Sequence, residues 1–243
     1  MEILVNNVKN KKVCKTSYGE SLYSNLWYTD DENKICFTFT PRGGCSVAFQ
    51  QYLDLIGLLS DGLNYNSFIH HYRIKIFIPN ICYKCINEII EEKYTFIKFV
   101  INPYIRAVSI YRAHTSHNLS FREYMKLIVK NELDFLNEND RYHIYPQYIK
   151  GEESIITKYI KINENEKYNV KLSDNSIYEL NLSNYTSLHH GKKTEHTDFC
   201  GDTEKKKLVL PKTYKYFYDE EIKTLVDNFY KDDIEKYGFD FNF

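Results

Sequence analysis

The chain of 243 residues has a formal net charge of -1, with hydrophobic residues at 43% and charged residues at 27%. This is enough apolar material for a core but offers no global positive charge to suggest a nucleic-acid binder, so a nucleotide has to be held by local basic groups. No apolar run approaches the roughly eighteen residues of a membrane span, no basic-plus-apolar leader precedes a cleavage pattern, and six cysteines make no disulfide scaffold. A soluble polypeptide in a cytoplasmic or virus-associated setting is therefore expected. The 23 Tyr and 15 Phe read as a compositional habit shared with the many Asn, Lys and Ile residues.

Residues 1–33 are polar and turn-rich and predict an edge hairpin or an arm. The organising stretch follows at 34–60. Ile35, Phe37 and Phe39 fall on one face of a strand, with Cys36, Thr38 and Thr40 on the other. Pro41-Arg42-Gly43-Gly44-Cys45-Ser46 then turns the chain into a helix whose apolar side carries Val47, Phe49, Leu53, Ile56 and Leu59. A glycine turn at a helix start can aim backbone N–H groups at a phosphate, and Arg42 adds a planar cation. An ordinary tight turn explains the same residues equally well.

His70 and His71 precede a predicted strand over Tyr72–Ile78, and a helix over 80–92 follows. Its apolar stripe takes in Cys82 and Cys85, so this C-x-x-C reads as a pair of buried thiols rather than as redox or zinc chemistry. Tyr94–Ile101 is a nearly continuous hydrophobic run suited to the interior of a parallel sheet. Lys98 within it reads as a nucleotide contact or an edge charge. Strand, helix and strand at this spacing give the βαβ signal.

Pro103 opens a second helix that places Arg106 and Ser109 three residues apart on one face, a receptor for a terminal phosphate. Ser120 and Glu123 form a capping box. Residues 133–153 read as a long polar connection and 155–162 as a strand. Residues 163–213 read as an irregular cover with basic clusters at His189–Lys193 and Lys205–Lys207, and an amphipathic helix begins near Asp219. Without a repeat or a clear linker, a single domain spanning 1–243 is expected.

Thr40–Ser46, followed by Asn102-Pro103-Tyr104-Ile105-Arg106-Ala107-Val108-Ser109-Ile110-Tyr111, resembles the two cofactor motifs of the sulfotransferases, with the closest likeness to the membrane-associated carbohydrate enzymes. His143-Ile144-Tyr145-Pro146-Gln147 resembles their His-x-x-Pro-Gln segment. Residues 229–239 resemble their aromatic C-terminal motif. The resemblance implies a P-loop-like α/β fold with a parallel sheet flanked by helices, and 3'-phosphoadenosine 5'-phosphosulfate (PAPS) as sulfuryl donor, released as adenosine 3',5'-bisphosphate.

On this likeness Arg42, the amides of Gly43, Gly44 and Cys45, and Ser46 hold the 5'-phosphate, and Arg106 and Ser109 hold the 3'-phosphate. Lys192 and Lys193 fall in a late basic loop closing over the nucleotide. Isoleucine at 101, where the family usually has arginine, and Arg42 in place of lysine are departures from its pattern.

In-line transfer to a hydroxyl needs a cation near the leaving oxygen, for which Arg42 is the candidate, and a base, for which His71 and His70 lead. His143 and a carboxylate such as Glu123 remain alternatives. A carbohydrate acceptor is expected, with a tyrosyl peptide or small alcohol fitting nearly as well. No metal is called for. A catalytically inactive nucleotide- or glycan-binding module and a P-loop phosphotransferase are the competing readings, the second lacking a Gly-Lys-[Ser/Thr] loop.

Overall fold

The computed structural model describes residues 8, 11–17, 24–84, 86–162, 167–172, 175–182, 197–209, 211 and 213–241. The chain divides into two compact units, each drawn from separated stretches of sequence. One comprises Met1–Thr40, Gly44–Val100 and Gly151–Leu188; the other comprises Pro41–Gly43, Ile101–Lys150 and His189–Phe243.

The first unit is α/β. Six strands, β1 (Lys12–Ser17), β2 (Ser24–Asp30), β3 (Ile35–Phe39), β4 (Cys82–Lys84), β5 (Thr95–Ile101) and β6 (Lys158–Ile162), form one sheet in the order β4-β1-β2-β3-β5-β6. The sheet is mixed rather than parallel throughout. Strand β3 runs parallel to β5 and β1 parallel to β4, but β1·β2 and β2·β3 are antiparallel. The cause lies in the N-terminal stretch: β1 and β2 pair antiparallel with each other, but with β3 and β4 on either side of them they do not stand at the sheet edge.

Pairing follows the alternation of the central strands. Phe37 lies between Tyr28 and Ile97, and together with Phe39 and Phe99 these side chains form one buried face. The other face carries Trp27, Cys36 and Phe96. Helix α1 (Cys45–Leu55) covers the first face with Phe49 and Tyr52. Its packing includes a ring contact of 5.3 Å between Tyr28 and Phe49. Strands β7 (Lys167–Lys171) and β8 (Ile177–Asn181) form a separate antiparallel pair inside the stretch expected to be irregular.

The segment after α1 corrects two expectations. Following α2 (Leu59–Tyr65), the predicted strand over Tyr72–Ile78 is helical: α3 (Ile69–Tyr72), a π-turn at Arg73–Phe77, then α4 (Ile78–Asn80). Ile69, Tyr72, Ile76 and Phe77 are buried whereas Ile74 is exposed, so the three-to-four-residue spacing prevails over the alternate one. The helix expected over 80–92 is shortened to α5 (Ile86–Glu91) because Cys82–Lys84 pairs with β1. Cys82 is consequently exposed rather than a buried thiol, and Cys85 lies outside the described residues.

The second unit is helical. Asn102 caps α6 (Pro103–Ala113) by accepting from the Tyr104 amide at 3.0 Å, with Pro103 in the first turn. Helix α7 (Phe121–Val129) opens with the complete Ser120/Glu123 capping box. The connection expected over 133–153 contains α8 (Glu138–Ile144), capped by Asn137. Asp219 caps α9 (Glu220–Phe229), and α10 (Lys231–Tyr237) ends at the left-handed Gly238. Val108, Tyr111, Tyr124, Phe217 and Ile222 form the core between them.

Lys98, inside β5, is neither an edge charge nor an exposed contact. It is 1% exposed and forms a buried ion pair with Glu152. Removing one partner strands the other charge, so Glu152→Ala is expected to cost about 3–5 kcal/mol, whereas Lys98→Met with Glu152→Leu costs far less. Guanidinium denaturation midpoints of the single and double variants check this; equal losses would contradict it.

Candidate functional site

In the first unit, α1 starts directly behind β3. Gly44 takes its N-cap position at φ 81°, a left-handed conformation that favours glycine, and the end of the Ile162 side chain packs where a Cβ would sit. One turn of sequence-distant helix then delivers an imidazole to this helix start. His70 Nε2 lies 2.9 Å from Ser46 Oγ and 3.4 Å from Cys45 Sγ. On the other side of the ring, Arg73 Nη1 stands 3.5 Å from His70 Nδ1. A guanidinium can only donate, so Nδ1 accepts and Nε2 carries the proton toward Ser46.

Arg73 carries no motif that marks it in the sequence. Its guanidinium lies over the rings of Phe39 at 5.2 Å, Phe49 at 5.9 Å and Tyr28 at 6.0 Å. Those contacts explain how a cation is retained beside an apolar face. His71 takes a different direction from His70. On a helix, neighbours diverge by about 100° rather than facing opposite sides as on a strand. His71 is exposed, with its ring edge-on to Phe68 at 5.2 Å.

In the second unit, the turn residue Arg42 is half-buried with φ 58°, a left-handed conformation uncommon outside glycine. Pro41 beside it is bound by Arg106. That arginine is 1% exposed, and its fork donates to Pro41 O at 3.1 Å, His143 O at 2.9 Å and Tyr145 O at 2.8 Å. Among the described residues its Nε–H makes no hydrogen bond, and the Tyr230 ring lies 5.6 Å from the guanidinium carbon. Ser109 follows along α6, half-buried. Gln147 supports the same region by bridging both backbone groups of Ile101, at 3.0 and 2.8 Å, while Asp233 accepts from the Gln147 and Tyr148 amides. Glu123, considered as a base, serves as the capping carboxylate of α7.

A second group of side chains in this unit comes together only in the fold. His114, at the end of α6, is 1% exposed; its Nδ1 lies 3.0 Å from the Tyr124 hydroxyl and its Nε2 lies 3.8 Å from Asp140 Oδ1. The rings of His114 and His143 are 5.8 Å apart. Lys205 donates to the carbonyls of Tyr111 and His114, and burial lowers its pKa to about 8. Burial first, then the charges of His143, His117, Lys205 and Arg42, lowers the His114 pKa to about 3. The only signal for this group in the sequence is the three-residue spacing of Asp140 and His143. Lys192 and Lys193, expected to close over a nucleotide, lie outside the described residues.

Comparisons with family models, with curated proteins and with solved structures find no match to this chain. Among the described residues, no helix is long and apolar enough to cross a membrane.

His117 supplies the pH test of this unit. Its ring packs among Tyr111, Tyr124 and Phe135, and neither ring nitrogen has a hydrogen-bond partner among the described residues. Burial, followed by the charge of Lys205, lowers its pKa to about 4. The unfolded chain takes up this proton near the ordinary value of about 6.5, and the folded chain only near 4. The stabilising contribution is complete above that upper value and is lost progressively as pH falls toward the lower one. His117→Phe is therefore expected to reduce the drop in urea midpoint between pH 7 and pH 5; an unchanged drop would refute the assignment.

Proposed function

We propose that the protein transfers a sulfuryl group from PAPS to a hydroxyl acceptor, with a carbohydrate as the preferred acceptor class. The observation that carries this reading is the imidazole of His70 against Ser46 and Cys45 at the start of α1. A helix start behind a sheet strand offers backbone donors to an anion, and Ser46 adds a hydroxyl already oriented by its neighbour.

In this reading the acceptor oxygen attacks sulfur while the bond from sulfur to the nucleotide phosphate breaks. Negative charge builds on the leaving phosphate oxygen, where the amides of Gly43, Gly44 and Cys45, the Ser46 hydroxyl and Arg42 are assigned to stabilise it. The acceptor's proton passes to the unprotonated nitrogen of His70, which is Nδ1 in the arrangement that Arg73 sets. Arg106 and Ser109 retain the assignment to the 3'-phosphate, as the resemblance implies. Since the Arg106 fork already binds three carbonyls, its Nε–H, which makes no hydrogen bond among the described residues, is a donor for that group.

That commitment of Arg106 to backbone also favours a second reading, a nucleotide- or glycan-binding module of the same fold without turnover. Labelled PAPS offered with glycans, tyrosyl peptides and small alcohols separates the two, alongside calorimetry with adenosine 3',5'-bisphosphate. Transfer supports the enzyme, binding without transfer supports the module, and neither binding nor transfer removes the donor from both.

Within the enzyme reading, His70→Ala is expected to lower kcat by roughly 10²–10⁴, with His71→Ala near wild type. Arg106→Lys keeps the charge but loses the planar fork, and is expected to destabilise the fold by about 3 kcal/mol as carbonyls lose their donor. Thermal unfolding measures that loss separately from bisphosphate affinity.

A further inference from the structure

We propose that His114, Asp140 and His143 form a binding site for a first-row divalent metal ion, with zinc the best-suited candidate. Each residue presents one ligand atom, and among the described residues these three atoms all lie within 4.8 Å of one another. Two imidazoles and a carboxylate are a donor set of zinc and non-haem metal sites that leaves positions open for water or a substrate. The site lies wholly within the helical unit, and the proposal does not rest on the sulfuryl-transfer reading.

Local structure brings the set together from both sides. Asp140 and His143 stand three residues apart on α8, so their side chains share one face. His114 ends α6, and its Nε2, in a residue 1% exposed, makes no hydrogen bond among the described residues and faces Asp140. An unsatisfied nitrogen at that depth is costly unless a ligand completes it. The outer contacts that hold metal ligands in place are present as well. The Tyr124 hydroxyl holds His114 Nδ1 at 3.0 Å, Asn137 Nδ2 donates to Asp140 Oδ2 at 2.9 Å, and Arg106 anchors the His143 carbonyl.

Ligands about 2.0–2.2 Å from a zinc ion stand roughly 3–3.5 Å apart, so binding draws these atoms inward. Asp140 and His143, both half-buried, are the members that make that adjustment. The Lys205 ammonium beside the His114 carbonyl opposes a dication, which places the expected zinc affinity on the order of micromolar rather than nanomolar.

The experiment titrates chelator-treated full-length protein with Zn²⁺ by calorimetry and with Co²⁺ by visible absorption. One equivalent of zinc is expected, together with a cobalt spectrum lacking thiolate charge transfer. Asp140→Ala and His143→Ala should each weaken binding at least tenfold, and His71→Ala should leave it unchanged. Circular dichroism establishes that each variant is folded, and His143→Gln replaces the alanine variant if that one unfolds. The proposal is overturned by an absence of binding at a hundredfold excess of zinc, by a thiolate signature, or by affinity that survives both α8 substitutions.

Discussion

Arg106 is the constraint on which the helical unit depends. A guanidinium 1% exposed has left nearly all of its hydration, and three backbone carbonyls with an aromatic face replace that water. The carbonyls come from Pro41, His143 and Tyr145, so one side chain rooted on α6 ties the end of α8 and the connection beyond it to a short turn far away in sequence. Only a planar fork reaches three oxygens at 2.8–3.1 Å at once. Since His114 terminates the same helix and His143 is bound through its own carbonyl, both imidazoles are positioned with respect to α6. The order of that cluster follows from the arginine.

Electrostatics separate this arginine from the other buried and half-buried cations. Lys98 is neutralised by Glu152, and Arg122 is surrounded by Asp202, Asp219 and Glu221. Arg106 and Lys205 are instead held by carbonyl oxygens, which satisfy hydrogen bonds without cancelling a full charge. The Lys205 charge contributes to the low pKa values of both neighbouring imidazoles, after burial at His117 and after burial and the charges of His143 and His117 at His114. It is also the local basic character that a chain of net charge -1 needs if it is to hold an anionic donor.

The parts of the fold legible in sequence are those where one local rule acts without competition. Strands β3 and β5 show clean apolar patterns; Pro103, the Ser120/Glu123 box and Asp219 mark helix starts by chemistry that involves only neighbouring backbone. The segment from Tyr72 to Ile78 fits two periods at once, and the exposure of Ile74 decides between them, a tertiary fact. Strands β7 and β8 are hard to see in sequence because Lys167, Asn169 and Lys171 face outward between only two buried positions, too few to stand out in an Asn- and Lys-rich background. Reading the central sheet as parallel holds only in part for a related reason: βαβ spacing describes β3 and β5 but carries no information about where the N-terminal strands insert.

Candidate site residues divide along the same line. The Pro41–Ser46 turn and Arg106 are visible because each motif is contiguous. The choice between His70 and His71 is not, since it rests on the direction of a helix that the pattern presents as a strand. For the His114–Asp140–His143 group the obstacle is separation, because twenty-five residues and a whole helix lie between the first two members. Its assembly depends on the packing of α7 through Tyr124 and on the carbonyl anchor of His143. A cluster held by outer contacts from other helices leaves little trace in local sequence, whereas its geometry requires every one of those contacts. Such a site becomes visible only once the long-range packing that creates it is known.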